Sequence, residues 1–107
     1  MTKRKPYEII YDDEVVDHMS AIDKKYHSVI RREIEKQLTY EPEKETLNQG
    51  ALEKPSILGT AWRLRFGPDN TLRVYYRFDA VLHEVYILAV GIKEKSRLYV
   101  GGKEFQV

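Results

Sequence analysis

Two stretches of strict alternation constrain this chain more than anything else in it. Trp62-Arg63-Leu64-Arg65-Phe66 and Leu72-Arg73-Val74-Tyr75-Tyr76-Arg77-Phe78 interleave apolar and cationic residues. Side chains of a strand point alternately to its two faces, so a period of two describes a strand with one face buried and one in water. Trp62, Leu64 and Phe66 form the buried side of the first strand, and Leu72, Val74, Tyr76 and Phe78 that of the second. The wet side then carries Arg63 and Arg65 beside Arg73, Tyr75 and Arg77, and neither stretch contains an acidic residue. Between them Gly67-Pro68-Asp69-Asn70 is strong turn chemistry, which predicts a hairpin.

The rest of the chain can be arranged around that hairpin. Tyr7 to Tyr11 is short, aromatic and branched, and predicts a first strand. Asp12 or Asp13 caps a helix whose apolar residues are Val15, Val16, Met19 and Ile22. Asp23 caps a longer one with the stripe Tyr26, Val29, Ile30, Ile34 and Leu38, and its mixed charges Arg31, Arg32, Glu35 and Lys36 describe a solvated outer face. Pro42 ends that helix. Residues 41 to 60, punctuated by Pro42, Gly50, Pro55 and Gly59, read as a loop packed on the body through Leu47, Leu52, Ile57 and Leu58. After a turn at Asp79 and Ala80, Val85 to Ile92 is a near-continuous apolar strand, as in the middle of a sheet covered on part of both faces. Gly91 marks a bulge or a close backbone approach. The glycine-rich tail from Val100 carries no readable pattern. The expected fold is α+β: a single domain, 1–107, in the order β-α-α-β-β-β, with an N-terminal helical hairpin on one face of a small, mainly antiparallel four-stranded sheet.

Composition excludes several classes. No apolar run approaches the roughly 20 residues of a membrane span, so no membrane partner is expected. The chain has no cysteine, which excludes disulfides and thiolate metal sites. The basic start, residues 1 to 6, is not followed by an apolar segment of the kind a secretory leader carries, which sets a cytoplasmic expectation. The net charge of +1 hides an asymmetry: residues 1–61 hold 10 Lys/Arg against 12 Asp/Glu, while residues 62–107 hold 8 against 5. The basic half is the stranded half, which points to an anionic partner.

The arginines are the first candidates for function. Unpaired like charges on neighbouring strands repel until an anion arrives, and a guanidinium offers a planar fork to phosphate oxygens. The same pattern also describes arginines whose stems cover apolar surface. Lys93-Glu94-Lys95-Ser96-Arg97-Leu98-Tyr99 adds a second basic cluster, and Tyr99 is either a base-stacking ring or a tyrosine at the edge of the core. His18 and His27 read as surface residues of the helices, and His83 as a structural or exposed residue near the basic face. No metal motif, phosphate loop, Ser-His-Asp order or redox motif is present.

Trp62-Arg63-Leu64-Arg65, Leu72-Arg73-Val74-Tyr75-Tyr76-Arg77 and Val90-Gly91-Ile92-Lys93-Glu94-Lys95-Ser96-Arg97-Leu98-Tyr99 together resemble the RelE branch of the RelE/ParE toxin superfamily. The resemblance spans about residues 7 to 99 and is stronger in the strands than in the helices. It implies the toxin of a type II toxin–antitoxin module, a ribosome-dependent mRNA endonuclease of the cytoplasm. Its partners would be a cognate antitoxin, with which it would form a hetero-oligomer, and the ribosome with its mRNA. The implied reaction is attack of a 2′-hydroxyl on the adjacent phosphate, which calls for no metal or other cofactor. The resemblance assigns Arg63, Arg65, Arg73, Lys93 and Tyr99 to the catalytic site and leaves Arg77, Lys95 and Arg97 to contact RNA. Arg63 and Arg65 stand where the family has lysines, and Lys93 where it has an arginine. Arginine holds its proton too tightly to act as a base, so acid work falls to Lys93 and no base is evident. The final helix of some members also has no counterpart after Tyr99. Two other readings share the fold: a ParE-like inhibitor of DNA gyrase, and a catalytically weak member that acts by antitoxin binding and operon repression.

Overall fold

The computed structural model describes residues 5–53, 58–59 and 61–105. The arm 1–4 and, within the expected packed loop, Pro55 and Ile57 lie outside them. The elements run β1 (Glu8–Tyr11), α1 (Val15–Ser20), α2 (His27–Leu38), β2 (Gln49–Ala51), β3 (Trp62–Phe66), β4 (Leu72–Asp79), β5 (Glu84–Glu94), β6 (Arg97–Val100) and β7 (Lys103–Glu104). Short 3-10 turns precede α2 and link β3 to β4. The α+β class is as expected, and among the described residues the sheet has seven strands rather than four. Among the described residues no helix is long and apolar enough to cross a membrane.

The antiparallel path is β2-β3-β4-β5-β6-β7. β5 is its spine. β4 runs along one edge of β5, while the other edge is shared by β1, parallel over Glu84 to Ile87, and β6, antiparallel over Gly91 to Glu94. Three of the strands were not expected. β2 is three residues with a glycine in the middle, drawn from the packed loop to pair with β3. β6 and β7 come from the basic segment and the glycine-rich tail.

One face of this sheet is closed by both helices. Val15 and Ile22, from α1 and the turn after it, join Ile30, Ile34 and Leu38 of α2 over Leu64, Phe66, Leu72, Val74, Tyr76, Val85, Ile87 and Val90. Asp23 does cap, its carboxylate accepting from the Lys25 N–H at 3.0 Å. The buried polar tip of Tyr76 is satisfied: its hydroxyl donates to the Pro42 carbonyl at 2.6 Å, as a buried phenol normally requires. His18 and His27 are half-buried rather than surface residues. His18 Nδ1 accepts the Val90 N–H at 3.3 Å, in the gap on β5 that neither β1 nor β6 fills, and His27 Nε2 bonds the Ile22 carbonyl.

The apolar run of β5 hides a bulge. Tyr75 pairs with Ala89 but Tyr76 pairs with Ile87, so Leu88 is an extra residue. An extra residue inverts the alternation that follows it. Val85 and Ile87 before it and Val90 and Ile92 after it all turn to the helices, while Ala89, Gly91 and Lys93 turn to the other face.

Candidate functional site

The open face is built by register. Across β3, β4 and β5, Arg63 pairs with Tyr75 and Tyr75 with Ala89, while Arg65 pairs with Arg73 and Arg73 with Gly91. Gly91 in turn pairs with Val100, and Lys93 with Leu98. Directly paired residues project from the same face, so Arg63, Arg65, Arg73, Tyr75 and Lys93 share one surface, as the alternation implies for the first four. Gly91 is a close approach rather than the bulge: a Cβ there would lie 2.6 Å from the Tyr99 carbonyl oxygen and 2.8 Å from Val100 Cγ2.

Four of the five, all but Arg65, line a cleft of about 280 Å³. Arg63, Arg73, Tyr75 and Lys93 meet there with the apolar side chains of Leu52, Leu98 and Phe105, and Ser96, Arg97 and Glu104 also border it. Tyr75, Ala89 and Val100 form a small second core beneath, packed by Leu52, Leu58, Leu98 and Phe105. The Lys93 N–H donates to the Thr71 carbonyl at 2.8 Å, which ties the end of β5 to the start of β4 and fixes Lys93 beside Arg73.

The electrostatics suit an anion. Arg73 is only 7% exposed, and its one side-chain bond is a long 3.5 Å contact with the neighbouring Leu72 carbonyl. Burial pulls its guanidinium below the usual arginine range; Tyr75 opposes this, and the charges of Arg63 and Arg65 add to it. Arg63 Nε is buried with no hydrogen-bond partner among the described residues. Leaving such a donor unsatisfied costs about 1–3 kcal/mol, more for a charged group, so the arrangement favours whatever oxyanion fills it.

The remaining sequence candidates are placed differently. Arg65 is engaged by the loop before β2: its Nε donates to Asn48 Oδ1 at 3.2 Å and its Nη2 to the Leu47 carbonyl at 3.0 Å. It lines a neighbouring pocket with Val29, Glu33 and Gln37. Tyr99 pairs with Ile92, whose side chain packs on the helix-side core, so its ring projects from the face opposite Arg73. Arg97 borders the cleft and lies 3.9 Å from the Glu104 carboxylate in a loose, exposed ion pair. Lys95 sits in the β5–β6 turn at φ 48. Arg77 lies beyond the bulge and stacks on Tyr86 at 5.0 Å. His83 is in the turn at the far end of the β4–β5 hairpin from Lys93, its ring 4.6 Å from that of Tyr7, and so lies away from the cleft. Sequence reasoning placed Tyr75 on the wet face without giving it a role, and passed over Leu98 and Phe105.

The fold and the cleft define a class: a small α+β domain with a helix-covered face and an open, arginine-lined face suited to a phosphate. No family model matches the sequence, and no curated protein matches it. Among solved structures, a chain of the toxin–antitoxin complex RelBE2 from Mycobacterium tuberculosis is similar, with a TM-score of 0.65 at 21% identity over 82% of this chain and 99% of that one. The two share a fold, and it is the fold implied by the resemblance to RelE-type toxins.

Proposed function

We propose that this chain is the toxin of a type II toxin–antitoxin module, and that its open cleft is the mRNA-cleaving site of a ribosome-dependent endonuclease. One observation carries the reading: the sheet register collects Arg63, Arg73 and Lys93 in one cleft, and the two guanidinium groups there lack acidic partners among the described residues. The neighbour's membership of a toxin–antitoxin complex supports the assignment to such a module, with a cognate antitoxin as partner. The ribosome and its mRNA would be the targets, and the cytoplasm the place of action.

In this reading Arg63 and Arg73 hold the scissile phosphate and neutralise the extra negative charge that develops as the 2′-oxygen attacks phosphorus. Charge that grows in the transition state, in a partly desolvated cleft, is where such groups contribute most. The P–O5′ bond breaks, leaving a 2′,3′-cyclic phosphate, and Lys93 donates a proton to the departing 5′-oxygen. The proton of the 2′-hydroxyl passes to solvent. Glu104 borders the cleft, but its register partner is Tyr99 on the other face and its carboxylate lies against Arg97.

Induction of the chain without an antitoxin should arrest translation and leave cuts within translated messages, mapped by primer extension. Intact messages in arrested cells, together with loss of supercoiling by DNA gyrase in the presence of the purified protein, would instead establish a gyrase inhibitor. A second reading, the catalytically weak member that acts through its antitoxin, draws on two placements: Arg65 is occupied by Asn48 and Leu47, and Tyr99 faces away from the cleft. It would show as operon repression by the complex, with no cuts on induction.

A further inference from the structure

We infer that the hydroxyl of Tyr75 is a donor to the substrate phosphate in this cleft, which makes Tyr75 a catalytic residue. The inference rests on the reading of the cleft as a phosphate site and adds a neutral donor to its cations.

Four observations carry it. Tyr75 is 3% exposed, and its ring lies on the second core with Ala89 and Val100, so the position of the phenol is set by packing. It also lines the cleft beside Arg63 and Arg73. Its hydroxyl makes no hydrogen bond with any described residue. Finally, the register sets Arg63 directly across from Tyr75 and Arg73 two residues before it on the same face of β4.

A buried tyrosine ordinarily finds a partner for its O–H, as Tyr76 does one residue later. A phenol that lines the cleft beside two guanidiniums without acidic partners has the geometry to meet the oxygen that they also bind. Burial outweighs the two cations and pushes the phenol above the usual tyrosine range. It therefore keeps its proton at neutral pH and can only donate to an anion. A phosphate diester whose negative charge increases during attack accepts more strongly in the transition state, so the hydroxyl favours cleavage over binding. The competing explanation, that Tyr75 merely fills the second core, makes the hydroxyl dispensable.

Tyr75→Phe separates the two, because it removes the oxygen and keeps the ring. Binding is read by fluorescence anisotropy with a labelled RNA hexamer made uncleavable by a 2′-deoxynucleotide. Cleavage is read as the single-turnover rate on ribosomes programmed with a defined message, and folding by thermal melting. The variant is expected to melt with the wild type, to bind the hexamer about tenfold more weakly, and to cleave on the order of 100-fold more slowly. Tyr75→Phe that binds and cleaves within about twofold of wild type would overturn the inference. Wild type that binds the hexamer but cuts nothing would overturn the endonuclease reading alone, since the binding arm still judges Tyr75. Wild type with no affinity for the hexamer would overturn both.

Discussion

Tyr75 and Tyr76 are consecutive, both buried, and opposite in meaning. Tyr76 points to the helix-covered face, where its ring sits in the main core and its hydroxyl is bonded to the Pro42 carbonyl. Tyr75 points to the open face, where its ring is just as well packed and its hydroxyl has no described partner. The contrast extends to the two faces of the sheet. The helix side satisfies Gln49, which donates to the carbonyls of Glu41 and Pro42, and His18, which accepts the Val90 N–H, while His83 Nδ1, in the turn beside Tyr7, has no described partner. The cleft side leaves Arg63 Nε without a described partner and gives the buried Arg73 only one long bond. Weakly bonded cationic donors gathered in one cleft are suited to a ligand that completes their hydrogen bonding.

The largest effect of a substitution is expected at Arg73. Arg73→Met keeps the length of the side chain and removes the charge. RNA cleavage should fall by about 10²–10³, while the melting temperature should rise, by about 1 kcal/mol of stability, because a buried cation facing Arg63 and Arg65 has been replaced by an apolar group. A lower melting temperature would mean that Arg73 is structural. Gly91→Ala should destabilise by about 1–3 kcal/mol, since its Cβ would press on the β6 backbone at Tyr99 and on Val100, and chemical denaturation would measure it.

Tyr76→Phe is the mirror of Tyr75→Phe. It should cost about 1–2 kcal/mol in denaturant melts by leaving the Pro42 carbonyl with only the long 3.3 Å bond from Gln49, and it should leave cleavage unchanged. Tyr99→Ala sharpens the contrast between faces: it should slow cleavage less than Tyr75→Phe does, the reverse of the order implied by the family resemblance.

The smallest effect is a pH dependence on the helix side. Burial lowers the pKa of His18, against the pull of Glu14, Asp12 and Asp17. The unfolded chain therefore takes up this proton first, and stability should be full above the ordinary histidine value of about 6.5 and decline as pH falls through it toward the lower folded value. His18→Asn, which keeps an acceptor for the Val90 N–H, should flatten that part of a melting-temperature profile. An unchanged slope would assign the acid sensitivity to other groups.

Much of this was legible in the sequence, and what was not has identifiable causes. Alternation in β3 and β4 put Arg63, Arg65, Arg73 and Tyr75 on the right face because neither strand is interrupted within those residues, but Arg73 and Tyr75 are buried there rather than wet, since Leu52, Leu98 and Phe105 cover that part of the face. The phase of β5 could not be read, because the extra residue at Leu88 lies inside an apolar run where no polar residue reports which face is which. Placing Tyr99 required the turn that follows as well. Lys95 and Ser96 both adopt positive φ, at 48° and 69°, in a two-residue hairpin turn, a conformation that usually announces itself with asparagine or glycine. β2 was hidden by its length and its central glycine, and its pairing with β3 is accompanied by the capture of Arg65 by Leu47 and Asn48. The apolar wall of the cleft depended on the β6–β7 hairpin, in which the Phe105 N–H reaches the Leu98 carbonyl at 2.8 Å.

The open cleft, on the proposed reading, serves an RNA phosphate and not the fold. The most direct test of that reading is to map cuts on a ribosome-bound message with wild-type protein and with Arg73→Met, alongside their thermal melts. The wild type is expected to cut, Arg73→Met to cut about 10²–10³-fold more slowly, and the variant to be at least as stable as its parent. Equal cutting by the two proteins, or a wild type that leaves the message whole, would contradict the reading.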